Sequence, residues 1–256
     1  MYDLIDESGK DFLGYGYKVT KDKKFPLTYS SLSIKDQEES KKLQMDEGEY
    51  FIINCPSLYY EGFDLDLKIE DKLHEKMLQF LKILKLNSNS KVLIVGLGNP
   101  DIACDSLGKV VFDRVTIDVT KKENHVYKFC PNIYFSTGIE SIDMIKAFVS
   151  QVKVDYIIVI DSLATRSLSR LGCSIQLTTT GITPGSAVNR FGKKIDSKKI
   201  GLPCISIGVP FMIFAKTLSS DAPSDLILAP KDIRDNIARV GLIIAELYIK
   251  DKLNLY

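Results

Sequence analysis

Two short, very apolar runs constrain the fold of this 256-residue chain most: VLIV at residues 92–95 and YIIVI at residues 156–160. An aspartate follows each run, Asp105 beyond a glycine-containing turn and Asp161 directly. An apolar run followed by a turn of small residues and a helical pattern is typical of a buried parallel strand that enters a βα unit. The sequence therefore predicts an α/β fold in which both runs are strands of a parallel sheet.

The two aspartates are the first candidates for chemistry. Ligands of open α/β sheets bind outside the carboxyl ends of the strands, so we expect Asp105 and Asp161 at that edge. Two carboxylates held close together do not both ionise easily and tend to share one proton. The ionised partner can take a proton from an attacking water, and the protonated partner can donate to the leaving amine. The alternative is structural: each aspartate could cap a following helix, where the helix dipole favours an anion.

Composition argues against several classes of function. The net charge of +1 provides no global field for nucleic acid or an anionic membrane. The longest apolar stretches fall short of the roughly 18 residues that a membrane helix needs. Five scattered cysteines indicate a reducing cytoplasm rather than a disulfide framework, and two histidines without a CxxC pair make a zinc site unexpected. We therefore expect a cytoplasmic protein with no metal, no cofactor, no nucleic-acid partner and no membrane contact.

Alternation of strand and helix patterns predicts a single three-layer α/β/α domain with a mostly parallel sheet over residues 46–256. Residues 1–45 are polar and are predicted to form a loosely packed arm or a small edge element, and this arm could be a propeptide. Strands are predicted near residues 49–55, 92–95, 126–129, 156–160, 174–178 and 204–209. Helices are predicted over residues 67–86, 106–115, 140–152, 163–171 and 231–250.

Several motifs occur in order along the chain. They are GLGN from Gly96, CDSLG from Cys104, IDSLATRS from Ile160, TGITPGS from Thr180 and GLPCISIGVP from Gly201. Together they resemble the germination protease family of spore-forming bacteria. The matching family patterns include Gly-Leu-Gly-Asn, Pro-Asp-Ala-Leu-Gly, Ile-Asp-Ala-Leu-Ala-x-Arg-Ser and Thr-Gly-Ile-x-Pro-Gly-Ser. Segments 49–58 and 228–237 extend the resemblance, which covers about residues 48 to 250.

The resemblance implies an endopeptidase that begins to degrade small acid-soluble spore proteins in the spore core when a spore germinates. Family members are made as zymogens, assemble as homotetramers and are grouped as atypical aspartic-type peptidases. Their two active-site carboxylates correspond by motif to Asp105 and Asp161. The implied scaffold is a phosphorylase/hydrolase-like α/β/α domain, similar to that of the hydrogenase-maturation peptidases.

Further residues are candidates for binding substrate or stabilising an oxyanion. A helix after Asp161 would place Arg166 one turn away, where it could bind an oxyanion or an acidic substrate segment; a plain salt bridge is the alternative. Backbone N–H groups of a loop could face the scissile carbonyl, or that loop could be an ordinary turn. The loop residues are Thr180, Gly181, Gly185 and Ser186. Gly98 and Asn99 could likewise bring backbone close to a ligand.

Two alternatives to an active spore protease remain open. The family pattern Asp-Thr-Gly-Ile-His-Pro-Gly-Ser reads TTGITPGS at residues 179–186, without the acid and the histidine. A catalytically degenerate relative that binds a spore protein without cutting it would fit these changes. The second alternative is a metal-sensing peptidase of the kind that matures nickel hydrogenases, with His125 as the candidate histidine.

Overall fold

A nine-stranded mixed sheet organises the chain in the computed structural model, which describes Phe12 and residues 15–55, 62–87, 89–117, 125–185, 192–223 and 226–249. The strands are β1 (Lys18–Lys21), β2 (Thr28–Ile34), β3 (Gly48–Asn54), β4 (Val92–Gly96), β5 (Val126–Phe129), β6 (Tyr156–Thr165), β7 (Ser174–Thr178), β8 (Cys204–Phe214) and β9 (Ile227–Leu228). The helices are α1 (Gln37–Leu43), α2 (Phe63–Ile83), α3 (Leu107–Arg114), α4 (Tyr134–Thr137), α5 (Ser141–Gln151), α6 (Ser197–Ile200) and α7 (Ile233–Ile249).

The strand order is β1-β2-β3-β7-β8-β6-β4-β5, and β9 pairs with β8. The pairs β5–β4, β4–β6 and β6–β8 are parallel. The pairs from β8 through β7, β3 and β2 to β1 are antiparallel, as is β8–β9. The predicted α/β fold is confirmed, but the sheet is mixed rather than mostly parallel. The sequence pattern of β7 does not reveal its direction, because a strand buried on both faces lacks the alternation that would indicate antiparallel pairing.

Helices cover both faces of the sheet and produce the predicted three layers. On one face, α2, α3 and α7 pack over strand residues such as Ile94, Ile158 and Ile207. On the other face, α5 and α6 cover Leu93 and Val159, and α1 covers a smaller cluster at β2 and β3. Strands β4 and β6 are buried along their whole length, which explains their uninterrupted apolar sequences.

The described part of the N-terminal segment forms strands at one edge of the sheet, which is the second of the two predicted arrangements rather than a loosely packed arm. Strand β2 pairs with β3 over seven residue pairs, from Thr28↔Asn54 to Ile34↔Gly48. Leu27 and Leu32 are almost fully buried. The described part of this segment is therefore integrated in the sheet, because β2 buries its few apolar side chains on both faces. Residues 1–11 lie outside the described residues, and removal of a propeptide stays a prediction.

The predicted helix over residues 163–171 is wrong. Strand β6 continues to Thr165, and its last residues pair with β8 around a register shift between Leu163 and Ala164. Turns follow as far as Cys173. These residues form a strand despite their helical pattern because β8 is also longer than predicted. Strand β8 reaches Phe214 and provides hydrogen-bond partners for the extended end of β6. None of the described helices is both long enough and apolar enough to span a membrane.

Candidate active site

A cavity of about 790 Å³ lies beyond the carboxyl end of β4 and beside residues 161–162 of β6. Asp105 and Asp161 both contribute to its lining. The cavity thus occurs where parallel α/β sheets bind ligands. The expectation that the two aspartates meet at this edge agrees with the structure, while their catalytic role stays a prediction.

Asp105 enters the cavity from a turn. It ends a 3₁₀ turn, Ala103–Asp105, just before α3. The backbone N–H of Asn99 donates a hydrogen bond to Asp105 Oδ2 over 2.8 Å. Burial raises the pKa of the Asp105 carboxyl to about 6, an effect that the Asn99 hydrogen bond partly opposes. Asp105 therefore faces an accessible cavity, and its carboxyl group holds a proton more tightly than the carboxyl group of an exposed aspartate does.

Gly98 makes the close approach of this turn possible. Its φ of +98° lies in the region that favours glycine, and a Cβ there would be 2.0 Å from the Asp105 carbonyl oxygen. The same Cβ would be 3.1 Å from Asp105 Oδ1. Gly98 is thus required by the backbone packing around the carboxyl group, in addition to lining the cavity.

Asp161 enters the cavity from the interior of a strand. It is 5% exposed and is paired with Gly208 of β8. Its Oδ1 accepts the backbone N–H of Ser162 over 2.9 Å. The expected position at a helix N-terminus is wrong, because β6 runs four residues beyond Asp161 to Thr165. The sheet, rather than a helix dipole, determines where this carboxylate lies.

Three of the other predicted residues line the cavity: Gly98, Asn99 and Gly185. Thr180 and Gly181 are not among the described lining residues. Thr180 Oγ1 instead forms a hydrogen bond with Thr178 Oγ1 over 2.8 Å. Gly181 has φ +83°, and a Cβ there would be 2.1 Å from the Ile195 carbonyl oxygen. Backbone conformation and packing therefore explain the glycine at this position without a role in binding.

Arg166 lies away from the cavity. It follows the end of β6, is exposed, and places its guanidinium carbon 5.5 Å from the centre of the Phe214 ring. The expected placement one helical turn from Asp161 is wrong, because five residues of strand span about 16 Å. Ser186 lies outside the described residues. The binding roles assigned to Arg166, Thr180, Gly181 and Ser186 gain no support from the cavity.

The sequence analysis missed several lining residues, including Ser162, Asn132 and Glu140. Glu140 directly precedes α5, and its Oε2 accepts the backbone N–H of Lys193 over 3.4 Å. Asn132 follows β5 with φ +62°, a conformation that asparagine tolerates better than most residues. The available signal was positional: Asn132 lies between the predicted strand 126–129 and the predicted helix 140–152, and Glu140 is the first residue of that helix, in the region where ligands of such sheets bind.

The described residues contain no group of three or more His, Cys, Asp or Glu side chains that could hold a metal ion. His125 lies at the opposite end of the parallel strands, where its carbonyl accepts the N–H of Val92, the first residue of β4. Its ring Nδ1 is 3.1 Å from the Asn89 carbonyl oxygen. The histidine predicted for a metal-sensing peptidase is therefore absent from the cavity.

Comparison with known proteins places the chain in a family. The family model for germination protease matches residues 6–238, so the chain belongs to the germination protease family. A germination protease from Geobacillus sp. (strain WCH70) is 33% identical over 195 residues, which cover 72% of this chain and 52% of that protein. The Caldanaerobacter subterraneus subsp. tengcongensis protein is 32% identical over 217 residues, 80% of this chain and 66% of that protein.

The germination protease of Bacillus subtilis (strain 168) is 32% identical over 202 residues, covering 74% of this chain and 55% of that protein. The chain thus spans about half to two thirds of the length of these relatives. Among solved structures, the [NiFe] hydrogenase maturation protease HycI from Thermococcus kodakarensis is similar at 19% identity and a TM-score of 0.38, covering 62% of this chain and 92% of that one. The maturating endopeptidase HybD from E. coli matches at 11% identity and a TM-score of 0.34, covering 59% and 87%.

Proposed function

We propose that this protein is an endopeptidase that initiates the degradation of small acid-soluble spore proteins during germination, with Asp105 and Asp161 as its catalytic pair. One observation supports the proposal above the others: both aspartates line one cavity, beyond the carboxyl end of β4 and beside the interior of β6. Membership of the germination protease family supports the reaction class, and the substrate is proposed from the family resemblance.

The two carboxyl groups are assigned different roles in this mechanism. Asp105 holds the proton and donates it to the leaving amine, since burial raises its pKa to about 6. Asp161 is the base that takes a proton from the water attacking the peptide carbonyl. The Ser162 N–H stabilises the negative charge on Asp161. Because each residue responds to the charge of the other, the pair titrates as a unit.

The cellular setting is part of the same proposal. A substrate in the spore core requires a cytoplasmic enzyme, and the five cysteines of the described structure are all free thiols, as a reducing compartment favours. We propose that the enzyme is made as a zymogen and forms homotetramers, as the family resemblance implies. Neither a nucleic acid nor a membrane is part of the proposed reaction.

A decisive experiment compares three single variants with the wild type on a purified small acid-soluble spore protein. Asp105→Asn and Asp161→Asn should each lower kcat/KM by about 10²–10⁴-fold, because each removes one proton-transfer group. Asp113→Asn is the matched control, since Asp113 lies on the surface of α3 and pairs with Lys109. The control should cleave like the wild type, with fragments identified by mass spectrometry.

Other outcomes distinguish the alternatives. Wild-type activity in both cavity variants would place the chemistry elsewhere. If the wild type produces no fragments but binds the spore protein in sedimentation, the catalytically degenerate relative is the better description. The altered loop contributes Pro184 and Gly185 to the cavity lining, so its departures from the family pattern favour that second function over the metal-sensing one.

A further inference from the structure

Helix α3, which begins two residues after Asp105, receives its N-terminal cap from a different part of the chain. Ser106 occupies the N-cap position, but no capping hydrogen bond from its side chain is found in the described structure. Its Oγ donates to the Ala103 carbonyl over 2.8 Å instead. The backbone N–H of Leu107 donates to Ser162 Oγ of β6 over 3.4 Å. One of the unpaired donors that every helix start presents is thus satisfied by β6.

The first turn of α3 is held on its other side by β4. A Cβ on Gly108 would be 2.3 Å from the Leu97 carbonyl oxygen, and a Cβ on Gly96 would be 2.2 Å from the Gly108 carbonyl oxygen. Backbone therefore touches backbone between β4 and α3. The position of the turn that carries Asp105 depends on β4 through these glycines and on β6 through Ser162.

Ser162 also touches the second aspartate. It follows Asp161 in the chain, and its N–H donates to Asp161 Oδ1 over 2.9 Å. The side chain of Ser162 points to the α3 face, since alternate residues of a strand face opposite sides of the sheet. Ser162 is only 4% exposed, so bulk water competes little for its hydrogen bonds.

We propose that Ser162 is a positioning residue that sets the spacing of Asp105 and Asp161 by joining β6 to the first N–H of α3. The inference rests on the proposed function, in which these two residues share the proton transfers. Ser162 binds no substrate in this role. It acts through the hydrogen bond to Leu107, which keeps the Asp105 turn against the strand that carries Asp161.

The kinetic test replaces Ser162 and compares its effect with that of a matched serine. Ser162→Ala should lower kcat by about three- to tenfold with little change in KM, because a positioning bond acts on the chemical step. Ser162→Thr keeps the hydroxyl and should recover most of the loss. Ser206→Ala is the control: Ser206 is a buried serine of β8 that is not among the described cavity-lining residues, so its removal should leave kcat unchanged.

A second readout does not depend on activity. The titration of the Asp105 carboxyl, followed by ¹³C NMR in wild type and Ser162→Ala, should move to lower pH in the variant, because a loosened turn admits water to the carboxyl. An unchanged titration would overturn the inference, even if the wild type proves to be an active protease. If the wild type cleaves nothing but the Asp105 titration still moves to lower pH in Ser162→Ala, the result would support the positioning role and reject the proposed function. Equal losses of kcat in Ser162→Ala and Ser206→Ala would also contradict it.

Discussion

The two aspartates reach one cavity by different structural means. Asp161 belongs to a strand with hydrogen-bonded neighbours on both sides, since β6 lies between β4 and β8. Asp105 belongs to a short turn that is held by the close backbone contact of Gly98, by the N–H of Asn99 and, through the start of α3, by Ser162. The strand aspartate is placed by a repeated ladder, whereas the turn aspartate is placed by a few contacts that tolerate no added atoms.

This difference indicates which part of the site is more sensitive to substitution. A ladder distributes its constraint over many hydrogen bonds, so one local change is absorbed by neighbouring residues. The Asp105 turn has its constraint concentrated in backbone atoms, which cannot move aside as a side chain can. Substitutions of equal size should therefore affect the two sides unequally.

The largest effect is expected at Gly98. Gly98→Ala combines an unfavourable positive φ with a Cβ 2.0 Å from the Asp105 carbonyl oxygen. We expect the free energy of unfolding to fall by about 3 kcal/mol or more and activity on a spore protein to be lost. Urea unfolding followed by circular dichroism, together with the cleavage assay, measures both.

Gly201→Ala is the matched control for Gly98→Ala. Gly201 has φ +82°, and an added Cβ there meets no heavy atom within 4 Å in the described structure. Only the backbone penalty applies, so the expected loss of stability is about 1 kcal/mol with activity retained. Equal losses in both variants would show that the contact with Asp105 contributes nothing.

A smaller effect, which depends on pH, is expected for Asp105→Asn. The folded-state pKa of Asp105 is raised to about 6 from an ordinary value of 3.8, so the folded protein binds the proton more tightly than the unfolded chain does. Stability of the wild type is therefore undiminished at pH values below the unfolded pKa and falls as the pH rises through the folded pKa. Above that range the ionised, buried carboxylate costs about 3 kcal/mol. The neutral asparagine lacks this cost.

Unfolding of wild type and Asp105→Asn in urea at pH 4 and pH 7.5 measures the difference. The variant should be more stable than the wild type at pH 7.5, by about 3 kcal/mol, and nearly equal at pH 4. A difference that is the same at both pH values would argue that Asp105 titrates as an exposed aspartate does.

The smallest effect is expected on the strand side, at Gly208. A Cβ on Gly208 would be 2.4 Å from Leu163 Cδ1, but this atom is the end of a flexible side chain. Gly208→Ala should cost about 1–2 kcal/mol, because Leu163 can change its rotamer. Combining it with Leu163→Val should give a smaller loss than the sum of the two single losses. If the losses of unfolding free energy from Gly208→Ala and Leu163→Val are strictly additive in urea, the predicted contact between the two residues is contradicted. If Gly208→Ala costs more stability than Gly98→Ala, the strand side rather than the turn side is the more sensitive one.

Much of the fold could be predicted from local sequence. Strands β3, β4, β5 and β7 and helices α3 and α5 occur close to the predicted bounds. The apolar runs and helical periodicity of these elements act over a few residues, so they are readable in the chain. Failures occurred where a distant partner decided the structure. Residues 163–165 became strand because β8 pairs with them, and β2 joined the sheet through β3.

The candidate site divides in the same way. Asp105, Asp161, Gly98, Asn99 and Gly185 were predictable because they follow strands or form glycine turns. Glu140 and Ser162 were not, since their importance depends on which elements lie beside them. No local pattern shows that Ser162 caps a helix 55 residues earlier in the chain.

The amino-acid sequence by itself determined the α/β class, the central strands and the two candidate acidic residues that follow their apolar runs, because hydrophobic periodicity and turn chemistry are local. Tertiary structure alone decided that the sheet is mixed, that Asp161 lies inside a strand, and that burial raises the pKa of Asp105 to about 6. Strand direction, burial and hydrogen-bond partners depend on residues far apart in the chain. Only the packed fold brings those residues together.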